Sequence, residues 1–224
     1  KNNIFKNKIQ RASYENAPSN IHGQLEDYSY FIQALIELNE STGDNKWVEQ
    51  AIKFSNIMID EFWSEKEGKF YDSGISSTDT LVRPSTTQDN ITASGISVAC
   101  EILIKLGVIT NDNNYIEIVE KQLRNASNDI GRYPAAHCNW IKFLNIDNYS
   151  SQIVFTGKNF TSFLKTVNSE FFPSLIFGFD KGEKSYYISK DKYVNGKNLA
   201  YFCKNYHCEL PVENDEELLN QIRK

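Results

Sequence analysis

Residues 37–49 read ELNESTGDNKWVE, and residues 105–117 read KLGVITNDNNYIE. A shift of 68 residues carries the first onto the second without a gap. Leu38 falls on Leu106, Thr42 on Thr110, Asp44 on Asp112, Asn45 on Asn113, Trp47 on Tyr115 and Glu49 on Glu117. Each copy joins two apolar-periodic stretches through a short polar turn. Thr-Gly-Asp-Asn suits such a turn: glycine tolerates the reversal, and a short polar side chain can cap the helix that follows. Self-similarity at one spacing on a helix–turn–helix unit predicts stacked helical hairpins. The first pair is expected over about 24–41 and 45–63, the second over about 92–109 and 113–128. Residues 134–144 read as one more helix. Between the pairs, GKFYDSG and TLVRP read as short strands forming a hairpin.

Past Asn148 the pattern changes. QIVFTG (152–157) and SLIFGFD (174–180) read as strands, with a helix over 159–172 between them. That order predicts a β-α-β unit with a parallel strand pair. LAYFC (199–203) reads as another strand. Asn214 is placed to cap a terminal helix whose first turn is acidic. The expected fold is therefore mainly α, with helical hairpins over 1–148 and a small α/β tail over 149–224.

Bulk properties narrow the function classes. The 224 residues carry a net charge of −5, are 40% hydrophobic, and mix acids with bases along the chain. No basic stripe points to nucleic acid. A membrane-spanning helix needs about 20 apolar residues, and the apolar run from Cys100 to Ile109 is broken by Glu101 and Lys105. Four cysteines, Cys100, Cys138, Cys203 and Cys208, are too few for a disulfide framework in a chain this long. A reducing, cytoplasmic setting is the simpler expectation. No motif calls for a cofactor or a resident metal.

HGQLEDYSYF (22–31) holds two adjacent acids at a helix start. At about 100° per residue, Tyr28, Phe31, Ile32, Leu35 and Leu38 share one face. Asp27 projects onto that face and Glu26 onto the polar side. An inward carboxylate costs free energy unless it finds partners. Free N–H groups of the first turn can supply them, or Asp27 can line a pocket. The second repeat copy has Gly95 at the equivalent position, so the hairpin architecture does not require an acid there.

The stretch from Leu25 to Ala51, together with FW, GKFYDS, LVRP and DNITASGIS, resembles the YyaL-type proteins. AYFCKNYHCELPV in the tail is similar to that family's closing strand. The resemblance runs from about Arg11 to the end of the chain, in order. It implies an N-terminal thioredoxin-like domain followed by an (α/α)6 toroid similar to those of N-acylglucosamine 2-epimerases and six-hairpin glycosidases. This chain would be a C-terminal part, a partial toroid lacking its first hairpins. The uncovered helix faces could then be met by the upstream domain or by a second copy in a homodimer. Leu25-Glu26-Asp27-Tyr28, Arg83-Pro84, and Asp89 with Ser94-Gly95 and Ser97 match the family's motifs. Ser85 and Thr86 stand where the family usually has Lys-Asp. Asn90, Ala93 and Ile96 stand where it commonly has Gly, Pro and Asn.

In such a toroid, Asp27, Arg83, Asp89 and Ser94 would surround one funnel, with Tyr28 and Tyr30 nearby. Asp27 and Asp89 are the expected catalytic acid and base. Tyr28, Arg83 and Ser94 are expected to hold a sugar-like ligand. The bland alternative is an Asp–Arg ion pair that fixes the long 64–91 connection. The corresponding functions are a carbohydrate-binding or carbohydrate-active domain and, from another class, a non-catalytic scaffold serving the thioredoxin-like domain. Of the histidines, His22 reads as a loop residue, His137 can point into the bundle, and His207 lies between two cysteines. None matches an epimerase base. Cys203 and Cys208 have the wrong spacing for a CxxC motif. With His207 they fall short of a four-ligand zinc site, which leaves packing at a strand end. Gly157-Lys158 lacks the upstream Gly and the hydroxyl residue of a phosphate loop.

Overall fold

The computed structural model describes residues 4–5, 8–12, 21–77, 81–144, 149–172, 174–205 and 207–223. A short antiparallel ribbon, β1 (Ile4–Phe5) with β2 (Lys8–Ile9), precedes the helices. Two helical hairpins follow: α1 (Leu25–Thr42) with α2 (Lys46–Phe62), and α3 (Gly95–Thr110) with α4 (Asn113–Arg132).

The repeat is real at the level of individual hydrogen bonds. Thr42 Oγ1 donates to Leu38 O at 2.6 Å, and Thr110 Oγ1 to Leu106 O at 2.7 Å. Gly43 and Asn111 end their helices in the left-handed region, at φ 62° and 61°. Asp44 Oδ1 accepts from Lys46 N, and Asp112 Oδ1 from Asn114 N, each at 3.0 Å. The two sequences thus build one turn by one mechanism: a left-handed cap residue, then an aspartate that satisfies a free N–H of the next helix. Glycine at 43 has a further cause, since a Cβ there would lie 2.4 Å from the Phe160 ring.

Helix α3 is the centre of the molecule. It packs on α1, on α4 and on the tail, so Ile96, Val98, Ala99, Cys100, Ile102, Leu103, Ile104 and Leu106 are all buried around its circumference. Each such aliphatic contributes about 1.5–3 kcal/mol by burial. Helix α1 also has two neighbours, which rotates its buried face from the expected one. Leu38 is exposed, whereas Ile36 and Asn39 are buried. Asn39 tolerates burial because its amide donates to Asp44 O at 3.1 Å inside the turn. The Glu40–Lys105 pair, at 2.9 Å, bridges α1 and α3.

The connection after α2 departs from expectation. The hairpin is β3 (Trp63–Ser64) with β4 (Lys69–Phe70). Residues 81–84 of TLVRP form no strand, and residue 80 lies outside the described set. The side chains of Leu81 and Val82 are exposed, so nothing there rewards strand pairing. Residues 134–144 form a 3-10 turn at Pro134–Ala136 and a short α5 (Cys138–Ile141) instead of one helix. Tyr133 leaves the helical region at φ −134° immediately before Pro134, as the residue before a proline tends to do.

In the tail, β5 (Gln152–Thr156), α6 (Thr161–Asn168) and β6 (Ile176–Asp180) form the expected unit, with β5 and β6 parallel. β7 (Leu199–Lys204) pairs antiparallel with β5, and β8 (His207–Cys208) with β7, giving the order β6-β5-β7-β8. Strand alternation divides the side chains between two cores. Val154 and Ile176 join the helical core, while Ile153, Phe155, Phe177, Phe179 and Phe202 pack against α6 and α7 (Asp215–Ile222). Asn214 caps α7, its Oδ1 accepting from Glu217 N at 2.9 Å. The expected boundary at 148/149 falls against residues 145–148, outside the described set. Cys203 and Cys208 face each other across β7 and β8 and form a disulfide, which corrects the expectation that they serve only as a packing pair at a strand end. Among the described residues no helix is long and apolar enough to cross a membrane.

Candidate functional site

The first turns of α1 and α3 meet side by side. Gly95 makes this approach possible: a Cβ there would lie 2.9 Å from Glu26 Cα and 2.9 Å from Glu26 N. Tyr30 Oη ties the two helices by donating to Ala93 O at 2.9 Å. Beside this junction lies a cleft of about 330 Å³, bordered by Gln24, Glu26, Asp72, Ser73, Thr86, Gln88, Asn90, Thr92 and Ser94. Pro84, Ala93 and Gly95 complete the lining, so polar and apolar surface face the cleft in comparable share.

Asp72 is held at this cleft by its own backbone. Its N–H donates to Pro84 O at 2.8 Å, and its carbonyl accepts from Leu25 N at 2.9 Å, one of the free donors at the start of α1. Its carboxylate takes two hydrogen bonds from Thr86, from N at 3.0 Å and Oγ1 at 2.6 Å, both on Oδ2. Oδ1 accepts none among the described residues. Burial pushes the Asp72 carboxyl above the usual aspartate range. The two Thr86 bonds oppose this, and the neighbouring Glu26 charge adds to it. Next in the chain, Ser73 is buried, with its Oγ unpaired among the described residues. A buried hydroxyl without a partner costs about 1–3 kcal/mol.

Glu26, read from the sequence as a plain surface acid, is exposed but borders the cleft. Arg11 Nη2 donates to its Oε1 at 2.5 Å, and Arg11 Nη1 to Gln24 Oε1 at 2.7 Å. Asp27 does something different. Its Oδ2 accepts from Gln24 N at 2.8 Å and completes a capping box with the Gln24 side chain. It is half-buried and does not border the cleft.

Of the remaining expected residues Ser94 borders the cleft, while Asp89, Arg83 and Tyr28 do not. Asp89 Oδ1 accepts from Ser94 N at 2.8 Å and Ser97 Oγ at 3.2 Å, and its Oδ2 from Asn139 N at 2.8 Å. It thus joins the starts of α3 and α5. Ser94 borders the cleft and caps α3, accepting from Ser97 N and donating to Thr87 O. Among the described residues Arg83 has no carboxylate partner, and it pairs with neither Asp27 nor Asp89. Its Nε donates to Ser73 O at 2.8 Å, its Nη2 to Glu61 O at 3.0 Å, and its guanidinium lies over the Tyr71 ring at 4.4 Å. It therefore positions the strip that carries Asp72 and Ser73. Tyr28 is buried, its Oη accepting from Ile9 N at 3.1 Å. His137 is fully buried, bonded at Nδ1 to Tyr133 O and at Nε2 to Thr87 Oγ1.

Asp72 and Ser73 were legible only as part of the GKFYDS piece; no periodicity marked them. Among the described residues no cluster of His, Cys, Asp and Glu is arranged to hold a metal ion.

No protein-family model matches the chain. The chain is homologous to spermatogenesis-associated protein 20. It is 23% identical to the rat protein over 235 residues, covering 96% of this chain and 30% of the relative. It is 24% identical to the human protein over 209 residues, covering 88% of this chain and 27% of the relative. An uncharacterized protein of Caenorhabditis elegans is 24% identical over 219 residues, with 94% and 30% covered. The chain thus spans less than a third of the length of these curated relatives.

Proposed function

We propose that the cleft between the starts of α1 and α3 binds a polyhydroxylated, sugar-like ligand, and that the hairpins belong to a partial (α/α) toroid of the epimerase or six-hairpin glycosidase kind. The observation that carries this reading is Asp72. It is a partly desolvated carboxyl with one oxygen unbonded among the described residues, in a cleft lined by amides, hydroxyls and a second carboxylate. Two carboxyls in unlike environments are suited to separate acid and base tasks. Asp72 is the proton donor in this reading, and Glu26, held by Arg11, is the second carboxylate at the cleft. Gln24, Gln88, Asn90 and Thr92 supply ligand hydrogen bonds. Ser94 borders the ligand, while Asp27, Arg83 and Asp89 act by positioning the cleft walls.

Calorimetric titration of the chain with a panel of mono- and disaccharides tests this. Binding that is lost in Asp72→Asn and weakened in Glu26→Gln, with melting temperatures retained, supports it. No binding of any saccharide, by this chain or by a form extended upstream, rejects it in favour of the scaffold reading.

A further inference from the structure

The Cys203–Cys208 disulfide lies far from any role in the proposed sugar cleft and is placed unlike a fold-holding cross-link. It closes a sequence separation of only 5, and short loops gain little from closure. The backbone already holds this corner. β7 pairs with β5 from Leu199 to Cys203, Glu209 N donates to Phe202 O at 2.9 Å, and Ala200 bridges to Val212. The two sulfur-bearing residues also differ in access. Cys208 is exposed on a two-residue strand at the sheet edge, whereas Cys203 is 3% exposed. Both border a cleft of about 470 Å³ between the sheet edge and the α3–α4 turn, together with Lys192 and Tyr187. Lys192 lines the same cleft with its Nζ donating to Ile188 O at 3.1 Å, and burial holds it below the usual lysine range.

We propose that this pair is a thiol-exchange site for a dithiol reductant. A reductant thiolate attacks Cys208 Sγ, the Sγ–Sγ bond breaks, and Cys203 leaves as a thiolate that takes up a proton. The reductant's second thiolate then displaces Cys208 and leaves with its own disulfide, so two electrons pass to this chain. Reduction leaves β8 held only by its two-residue pairing with β7 and by Glu209 N on Phe202 O, so this edge opens more readily while β5, β6 and the helices keep their packing.

Dithiothreitol is the probe, followed by alkylation and peptide mass spectrometry on the folded chain. The native bond is expected to reduce within about tenfold of its rate in denaturant, with exposed Cys138 as the labelling control and buried Cys100 unlabelled. Native reduction slower by about a hundredfold or more overturns the proposal, as does isolation of the chain with all four thiols free. A second arm reads the asymmetry. With an aromatic disulfide reagent, Cys208 in Cys203→Ser is expected to react at least about tenfold faster than Cys203 in Cys208→Ser; equal or reversed rates overturn the proposed direction of attack. Hydrogen exchange completes the test. Protection at Cys208 and Glu209 is expected to fall on reduction while β5 and β6 stay protected. Opening of β5 and β6 would mark the bond as a structural staple and reject the exchange role.

Discussion

Replacing Asp89 by alanine separates a strut from a catalytic group. Three donors converge on this carboxylate: Ser94 N, Ser97 Oγ and Asn139 N. Ser97 Oγ keeps a second acceptor, Ser94 O, at 2.9 Å. Two backbone N–H groups are therefore orphaned, at about 1–3 kcal/mol each. Asn139 is only half-buried, so water recovers part of its loss, and the total is about 3 kcal/mol. At about 2–4 °C per kcal/mol for a chain of this size, Asp89→Ala is expected to melt about 6–12 °C below the parent. Asp89→Asn keeps one acceptor and turns an amide N–H toward the other donor, so it is expected to lose about half as much. Differential scanning calorimetry at pH 7, with saccharide titration of the surviving folded protein, reads both. An Asp89→Ala variant that melts within about 1 °C of the parent yet loses ligand binding would refute the reasoning and return Asp89 to the reacting centre.

Other outcomes follow from the same contacts. Gly95→Ala puts a methyl 2.9 Å from Glu26 Cα. Overpacking of about 1–3 kcal/mol is expected to exceed any gain in helix propensity, so urea unfolding that shows stabilisation would contradict the close approach of α1 and α3. Asp72 has a folded value above the ordinary aspartate 3.8, so the folded chain binds more protons than the unfolded one between the two values. Its contribution therefore falls as pH rises through that window and stays at its lowest above it. Asp72→Asn keeps an acceptor for Thr86 and is expected to gain stability relative to the parent from pH 4 to pH 7, at about those limits; a relative loss measured by denaturant titration would contradict a desolvated carboxylate. Arg83→Ala removes the donor to the Ser73 carbonyl, while Glu61 O keeps Ile75 N at 2.7 Å, and is expected to cost about 1–3 kcal/mol and to weaken saccharide binding. Arg83→Lys, lacking the planar fork, is expected to restore little. The double variant Cys203→Ser/Cys208→Ser is expected to lose no more than about 2 kcal/mol, since the closed loop is short; a larger loss in chemical unfolding would make the bond a structural one.

The hairpins were legible because their turn chemistry is local. Thr42, Gly43 and Asp44 do what Thr110, Asn111 and Asp112 do, and each needs only its own few neighbours. The β-α-β unit was legible for a related reason, since its strands and helix differ in periodicity. The buried face of α1 was not. A helical wheel assigns one partner, whereas α1 packs between α2 and α3, which exposes Leu38 and buries Asn39. The cleft was half legible. Asp27 is the more buried of the two acids and Glu26 is exposed, as their places on the helix wheel implied, yet it is Glu26 that borders the cleft. Asp27 is drawn into a capping box, and Glu26, one residue earlier, is left facing the cleft. Asp72 reaches the site only because Arg83 and Pro84 dock the later strip against residues 72–73. That is a long-range pairing with no periodic signature in the sequence.

The most direct test follows the Asp72 carboxyl itself. Carbon-13 NMR of the labelled side chain, titrated with acid in the free protein and again with a saccharide from the panel, is expected to show a midpoint above 3.8 and a resonance that moves when the saccharide binds. A midpoint at or below that value, with a resonance that no saccharide shifts, would contradict a protonatable ligand-binding group at the meeting of α1 and α3.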